Sequence, residues 1–115
     1  MLGAIIPTVP RTRLDIRETD PGVFVITGEI DAHTAPLLES HLRSAASNAI
    51  VLDMSGVEFM DSSGLSVLVG EHQRRSDAAQ QLTVTDPSVA VQRLLEIVGL
   101  GELLVDHTTD EGPSG

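Results

Sequence analysis

Apolar positions along this chain switch repeatedly between a spacing of two and a helical spacing of three to four. From Leu14, apolar and charged residues alternate through Ile16, and Asp20-Pro21-Gly22 then supplies turn chemistry, with proline setting φ and glycine accepting positive φ. Val23 to Ile30 is a second, more apolar strand, so the two together predict a hairpin that opens a sheet. After Asp31 the period changes. Thr34 suits a helix cap, Pro36 is tolerable in a first turn, Leu38, Leu42 and Ala45 share one face, and Ser47-Asn48 closes the helix.

Ile50-Val51-Leu52 is a continuous apolar run, the pattern of a strand covered on both sides. Ser55 to Met60 reads as a short loop that Val57 and Phe59 anchor against the core. A second helix starts at Asp61 or Ser62, since Leu65, Leu68, Val69 and His72 recur at helical spacing and Arg74-Arg75 complement its dipole as a solvated far end. Ser76 to Gln81 turns the chain into a strand at Leu82 to Thr85. Ser88 caps a third helix with Val91, Leu94, Leu95 and Val98 inward and Gly99 as terminator, and Leu103 to Val105 is a last short strand. The order β-β-α-β-α-β-α-β, with no internal repeat, predicts an α/β fold: a single domain with a mixed central sheet of four to five strands flanked by helices. Its expected boundaries are 13–106, with a flexible arm over 1–12 and a disordered tail over 107–115.

Composition narrows what such a domain does. The 115 residues suffice for one core but not two, and with two phenylalanines and no Trp or Tyr that core is aliphatic. Seventeen acidic residues against seven arginines give a formal charge of −10, which repels a phosphate backbone or an anionic membrane and favours a protein partner carrying basic groups. Without lysine or cysteine there is no Schiff-base lysine, phosphate-loop lysine, thiol nucleophile or disulfide. Met1 to Pro10 is apolar too briefly for a membrane span, lacks a basic leader and is broken by Pro7 and Pro10, so a cytoplasmic location is expected.

The residues themselves leave the chemistry open. A hydroxyl at the start of the second helix, Ser62 or Ser63, faces free backbone N–H groups and the positive end of the helix dipole, an environment that caps a helix and also favours a phosphate ester. A nucleophile elbow requires glycines two residues on either side of its serine, and neither Ser62 nor Ser63 has them. Asp31 and His33 lack a third neighbouring metal donor and read as solvated loop residues, and Asp53 reads as a carboxylate receiving loop N–H bonds. No catalytic group, metal or cofactor is expected.

Val51-Leu52-Asp53-Met54-Ser55-Gly56-Val57-Glu58-Phe59-Met60-Asp61-Ser62-Ser63-Gly64-Leu65 resembles the signature of STAS-domain anti-sigma-factor antagonists, and Thr27-Gly28-Glu29-Ile30-Asp31 with Thr34-Ala35 resembles their earlier motif. The similarity runs from about Leu14 to Val105. It implies a substrate and switch of stress-response partner switching rather than an enzyme. The unphosphorylated form binds a serine-kinase anti-sigma factor, freeing a sigma factor for transcription; the kinase, with its bound ATP, phosphorylates the serine after the motif aspartate, Ser62 here with Ser63 as the rival; and a serine phosphatase restores binding. The resemblance places Asp31, His33 and Thr34 on one partner-binding surface with Asp61, Ser62, Ser63, Gly64, Leu65 and Ser66, in a monomer or weak dimer. Ser66 stands where many relatives have glycine, and Ala78-Ala79-Gln80-Gln81 replaces a glycine-rich turn. The alternative within the same domain class is a scaffold or transporter accessory module in which Ser62 is merely a cap.

Overall fold

The structure, a computed structural model, describes residues 13–105. The arm over 1–12 and the tail over 107–115 lie outside the described residues. Strand β1 (Leu14–Asp20) pairs antiparallel with β2 (Val23–Ile30), and Gly22 makes the turn between them at φ +83°. Helix α1 (Ala35–Ser44) leads to β3 (Ala49–Met60), and α2 (Ser62–Asp77) leads to β4 (Gln81–Thr85). Helix α3 (Val89–Ile97) and the single turn α4 (Gly101–Leu104) follow. The sheet order is β1-β2-β3-β4, with β2, β3 and β4 parallel. Parallel neighbours need a long crossover, which is why a helix stands between each consecutive pair.

One core forms between sheet and helices. Phe24, Ile26, Ile50, Leu52, Leu82 and Val84 face Leu38 and Leu42 of α1, Leu68 of α2, and Val91 and Leu95 of α3. Alternation leaves Val51, beside Val23 and Thr83 in register, only half-buried on the opposite side of the sheet, so the run is not equally covered on both faces.

Four other expectations give way to packing. Ser55 to Met60 is not a loop but the second half of β3, a strand of 12 residues. Its register against β2 slips twice, between Val25 and Thr27 and between Gly28 and Glu29, each time with one extra residue in β3. Each bulge shifts the inward phase by one, so the buried positions run Leu52, Met54, Val57, Met60 and the period of two disappears from the sequence. Phe59 consequently points outward, 47% exposed, rather than anchoring anything.

The last expected strand is largely absent. Leu103 and Leu104 belong to α4, which turns Leu104 inward and Leu103 outward, and only Val105 pairs with the sheet, beside Val84. Short apolar runs do not distinguish a strand from a helical turn. Val98 is exposed because α3 has ended before it; Gly99, at φ +76°, redirects the chain and gives its inward place to Leu100.

The far end of α2 departs most. Arg74 is exposed as expected, but Arg75 is 1% exposed and its guanidinium is spent on protein. Nε donates to Glu71 at 3.0 Å, Nη1 to the Ser47 carbonyl at 2.9 Å, and Nη2 to the Leu42 carbonyl at 3.0 Å and the Ala45 carbonyl at 3.3 Å. These carbonyls lie at the end of α1 and just beyond it, where backbone partners run out, so one arginine of α2 closes the end of its neighbouring helix. The buried stripe of α2 is therefore Gly64, Leu68, Glu71, Arg75.

Candidate functional site

β2 and β3 end side by side, Ile30 opposite Met60, and the residue after each strand is an aspartate: Asp31 opens the loop to α1, and Asp61 caps α2. The Asp61 amide donates to the Ile30 carbonyl at 3.2 Å, which ties the two ends together. In an open sheet of this kind, groups at the carboxyl ends of parallel strands are where the protein meets other molecules.

At the α2 start the capping group is Asp61, whose Oδ1 accepts the Ser63 amide at 2.8 Å; its carbonyl accepts the Leu65 amide at 3.1 Å. Ser62, the first helical residue, is exposed, while Ser63 is half-buried. Ser66 is exposed one turn further on, on the side of Ser62, and Leu65 packs partly on the core. Gly64 is buried. A Cβ there would lie 2.5 Å from Ile30 Cγ2 and 2.7 Å from Met60 Cγ, so the absent side chain lets the helix sit directly on the two strand ends. Gly64→Ala is expected to lower stability by about 1–3 kcal/mol, since overpacking displaces its neighbours. Urea unfolding checks this, and a midpoint equal to wild type would show that Ile30 and Met60 yield freely.

The β2–α1 loop is built on Asp31. Its Oδ1 accepts the amides of His33 at 2.9 Å and Thr34 at 3.1 Å, and its Oδ2 accepts Arg13 Nη2 at 2.6 Å. Thr34 precedes α1 but makes no side-chain cap bond to the helix: its hydroxyl donates to the Glu29 carbonyl at 2.8 Å and accepts the Asp31 amide at 2.9 Å, bracing the loop. Partial desolvation pushes the Asp31 carboxyl up, but the amides of Thr34 and His33 and the Arg13 guanidinium outweigh it and hold the group below the usual carboxylate range. His33 is exposed at the outer side of this loop.

Asp31 and Asp61 with their loops thus come together at the neighbouring ends of β2 and β3. Asp53 is not among them; it lies within β3 and accepts the Ser55 amide at 3.0 Å and the Ser55 hydroxyl at 2.8 Å. Sequence reasoning missed Arg13, whose partners Glu29 and Asp31 lie 16 and 18 residues away, beyond any local spacing rule.

Fold and site define a small α/β module that presents an aspartate-capped helix start and an aspartate-braced loop together at the carboxyl ends of its two central strands. The family model of the STAS domain matches residues 13–112. The chain belongs to the STAS-domain anti-sigma-factor antagonist family. It is 32% identical over 89 residues to an anti-sigma F factor antagonist of Paenibacillus polymyxa, covering 72% of this chain and 76% of that one. It is 36% identical over 91 residues to an anti-sigma-B factor antagonist of Listeria monocytogenes, covering 76% and 80%. The crystal structure of an anti-sigma factor antagonist from Mycobacterium paratuberculosis superposes with a TM-score of 0.65 at 30% identity, covering 79% of this chain and 80% of that one.

Proposed function

We propose that this protein is an anti-sigma-factor antagonist gated by phosphorylation of Ser62. Unphosphorylated, it binds a serine-kinase anti-sigma factor through Asp31, His33 and Thr34 on one loop and Asp61, Ser62, Ser63, Leu65 and Ser66 on the neighbouring helix, with Gly64 seating that helix, and a sigma factor is released. The kinase transfers a phosphoryl group from its ATP to the Ser62 hydroxyl, and a serine phosphatase later removes it. The protein itself is the substrate of this chemistry and carries out none of it.

The observation that carries the reading is the division of labour at the start of α2. Asp61 does the capping, so the exposed Ser62 hydroxyl is not needed to hold the helix. A phosphate there meets the positive end of α2, so the fold tolerates it, while two added negative charges alter the surface the partner must hold. Ser63, half-buried with its amide bound to Asp61, is the poorer acceptor.

Incubation with the candidate kinase anti-sigma factors and ATP, followed by peptide mapping, tests the assignment. Phosphate is expected on Ser62 and none on Ser62→Ala, whose fold is unchanged. Phosphate retained at wild-type level in Ser62→Ala would move the site to Ser63, and failure of every such kinase to bind either protein would favour the scaffold use of the domain.

A further inference from the structure

The edge of the sheet that carries Ser62 is strongly acidic. Glu29, Asp31, Glu58 and Asp61 all stand at the carboxyl ends of β2 and β3, in a chain of formal charge −10. One cation meets them among the described residues: Arg13, immediately before β1. Its Nη2 lies 2.6 Å from Asp31 Oδ2 and its Nη1 3.1 Å from Glu29 Oε1. Arg17, Arg43, Arg74 and Arg75 pair with Asp15, Glu39 and Glu71, away from this edge.

Arg13 is placed by its backbone as well. Its carbonyl accepts the Glu29 amide at 2.7 Å and lies directly over Gly28, where a Cβ would come within 2.0 Å of that oxygen. Gly28 also adopts φ +107°, in the region that disfavours other residues. The glycine of the Thr27-Gly28-Glu29 motif thus has a physical purpose here: it seats Arg13. From that seat the side chain takes one oxygen of Asp31, while the other oxygen gathers the amides of His33 and Thr34.

We propose that Arg13 is a positioning residue of the partner-binding surface, clasping Asp31 and Glu29 so that the His33-Thr34 loop is held ready beside Ser62. This rests on the function proposed above. The clasp ties β1 to the loop after β2, the Ile30 carbonyl ties the same strand end to Asp61, and Ser62 follows directly. Arg13 is 47% exposed, and surface ion pairs contribute little to global stability, so its loss is read in recognition and not in melting. Two parallel donors in a planar fork suit the pair of carboxylates, which a lysine ammonium does not reproduce.

The test compares Arg13→Ala, Arg13→Lys and, as a control for net charge on the same strand, Arg17→Ala. In phosphorylation by the cognate kinase, Arg13→Ala is expected to raise KM for the protein about tenfold, equivalent to roughly 1.4 kcal/mol, with kcat and thermal midpoint near wild type. Arg13→Lys should recover part of the loss, and Arg17→Ala should show none. By NMR, the His33 and Thr34 amides should shift in Arg13→Ala and the Asp31 carboxyl should titrate higher than in wild type. An unchanged KM in Arg13→Ala, or an equal rise in Arg17→Ala, overturns the positioning role while leaving Ser62 as acceptor. If the wild type accepts no phosphate, the function reading fails, and unshifted loop amides in Arg13→Ala would then overturn the clasp separately.

Discussion

Arg75→Met is expected to lower unfolding stability by about 3–5 kcal/mol. The guanidinium donates to Glu71 and to the carbonyls of Leu42, Ala45 and Ser47, and methionine of similar length fills the space but donates to none of them. The Leu42, Ala45 and Ser47 carbonyls then lose the guanidinium, Leu42 keeping only the Ala45 amide, and the Glu71 carboxylate, 3% exposed, keeps only Arg74. For a domain of this size each kcal/mol lowers the melting midpoint by roughly 4–8 °C, so the variant should melt at least about 12 °C below wild type. Arg74→Ala, next door but 44% exposed, should cost less than about 1 kcal/mol. Calorimetry on the pair decides: equal midpoints would mean that water replaces the arginine at the end of α1.

Ser62→Asp should bind the kinase anti-sigma factor at least about tenfold more weakly than wild type, roughly 1.4 kcal/mol, while melting within a few degrees of it. A carboxylate at the first position of α2 meets the favourable end of the helix dipole, and the Asp61 cap is untouched, so the domain has no reason to loosen. The partner, in contrast, meets an added charge beside Asp61, on an edge that already carries Asp31, Glu29 and Glu58. Titration calorimetry with the kinase, paired with a thermal scan, separates the two effects. Affinity equal to wild type in a folded Ser62→Asp would remove charge as the gate and leave shape or the phosphate's own geometry to account for switching.

Both predictions concern α2, and they divide along what its sequence shows. Its start was legible: Asp61-Ser62 ahead of a helix-period segment marks the N-terminus whatever surrounds it, because capping is a local exchange between one side chain and the amides of the next turn. Its buried stripe was not. Leu65, Leu68, Val69 and His72 suggest one inward face, yet the stripe is Gly64, Leu68, Glu71 and Arg75, of which one member has no side chain and two are charged. Hydrophobic periodicity has nothing to register there. An ion pair at a spacing of four reads as solvated until the carbonyls that need it are known, and they lie 28 to 33 residues earlier, at the end of α1 and just beyond it.

The sheet divides in the same manner. Turn chemistry at Asp20-Pro21-Gly22, the alternation of β1 and the Ser88 cap of α3 act within a few residues and appear in the structure as expected. The second half of β3 was hidden because its two bulges are defined against β2 and have no local signal. Gly28 stood in a recognisable motif, but its reason, the Arg13 carbonyl lying over it, exists only once β1 has folded back. By itself the sequence determined an α/β domain, the starts of its three longer helices, its aliphatic core and the serines at the start of α2, since each depends on neighbours in the chain. Tertiary structure alone decided that Ser62 stands exposed beside the Asp31 loop, that Arg75 closes α1, and that Arg13 clasps the site, since each of these depends on what another element brings within reach.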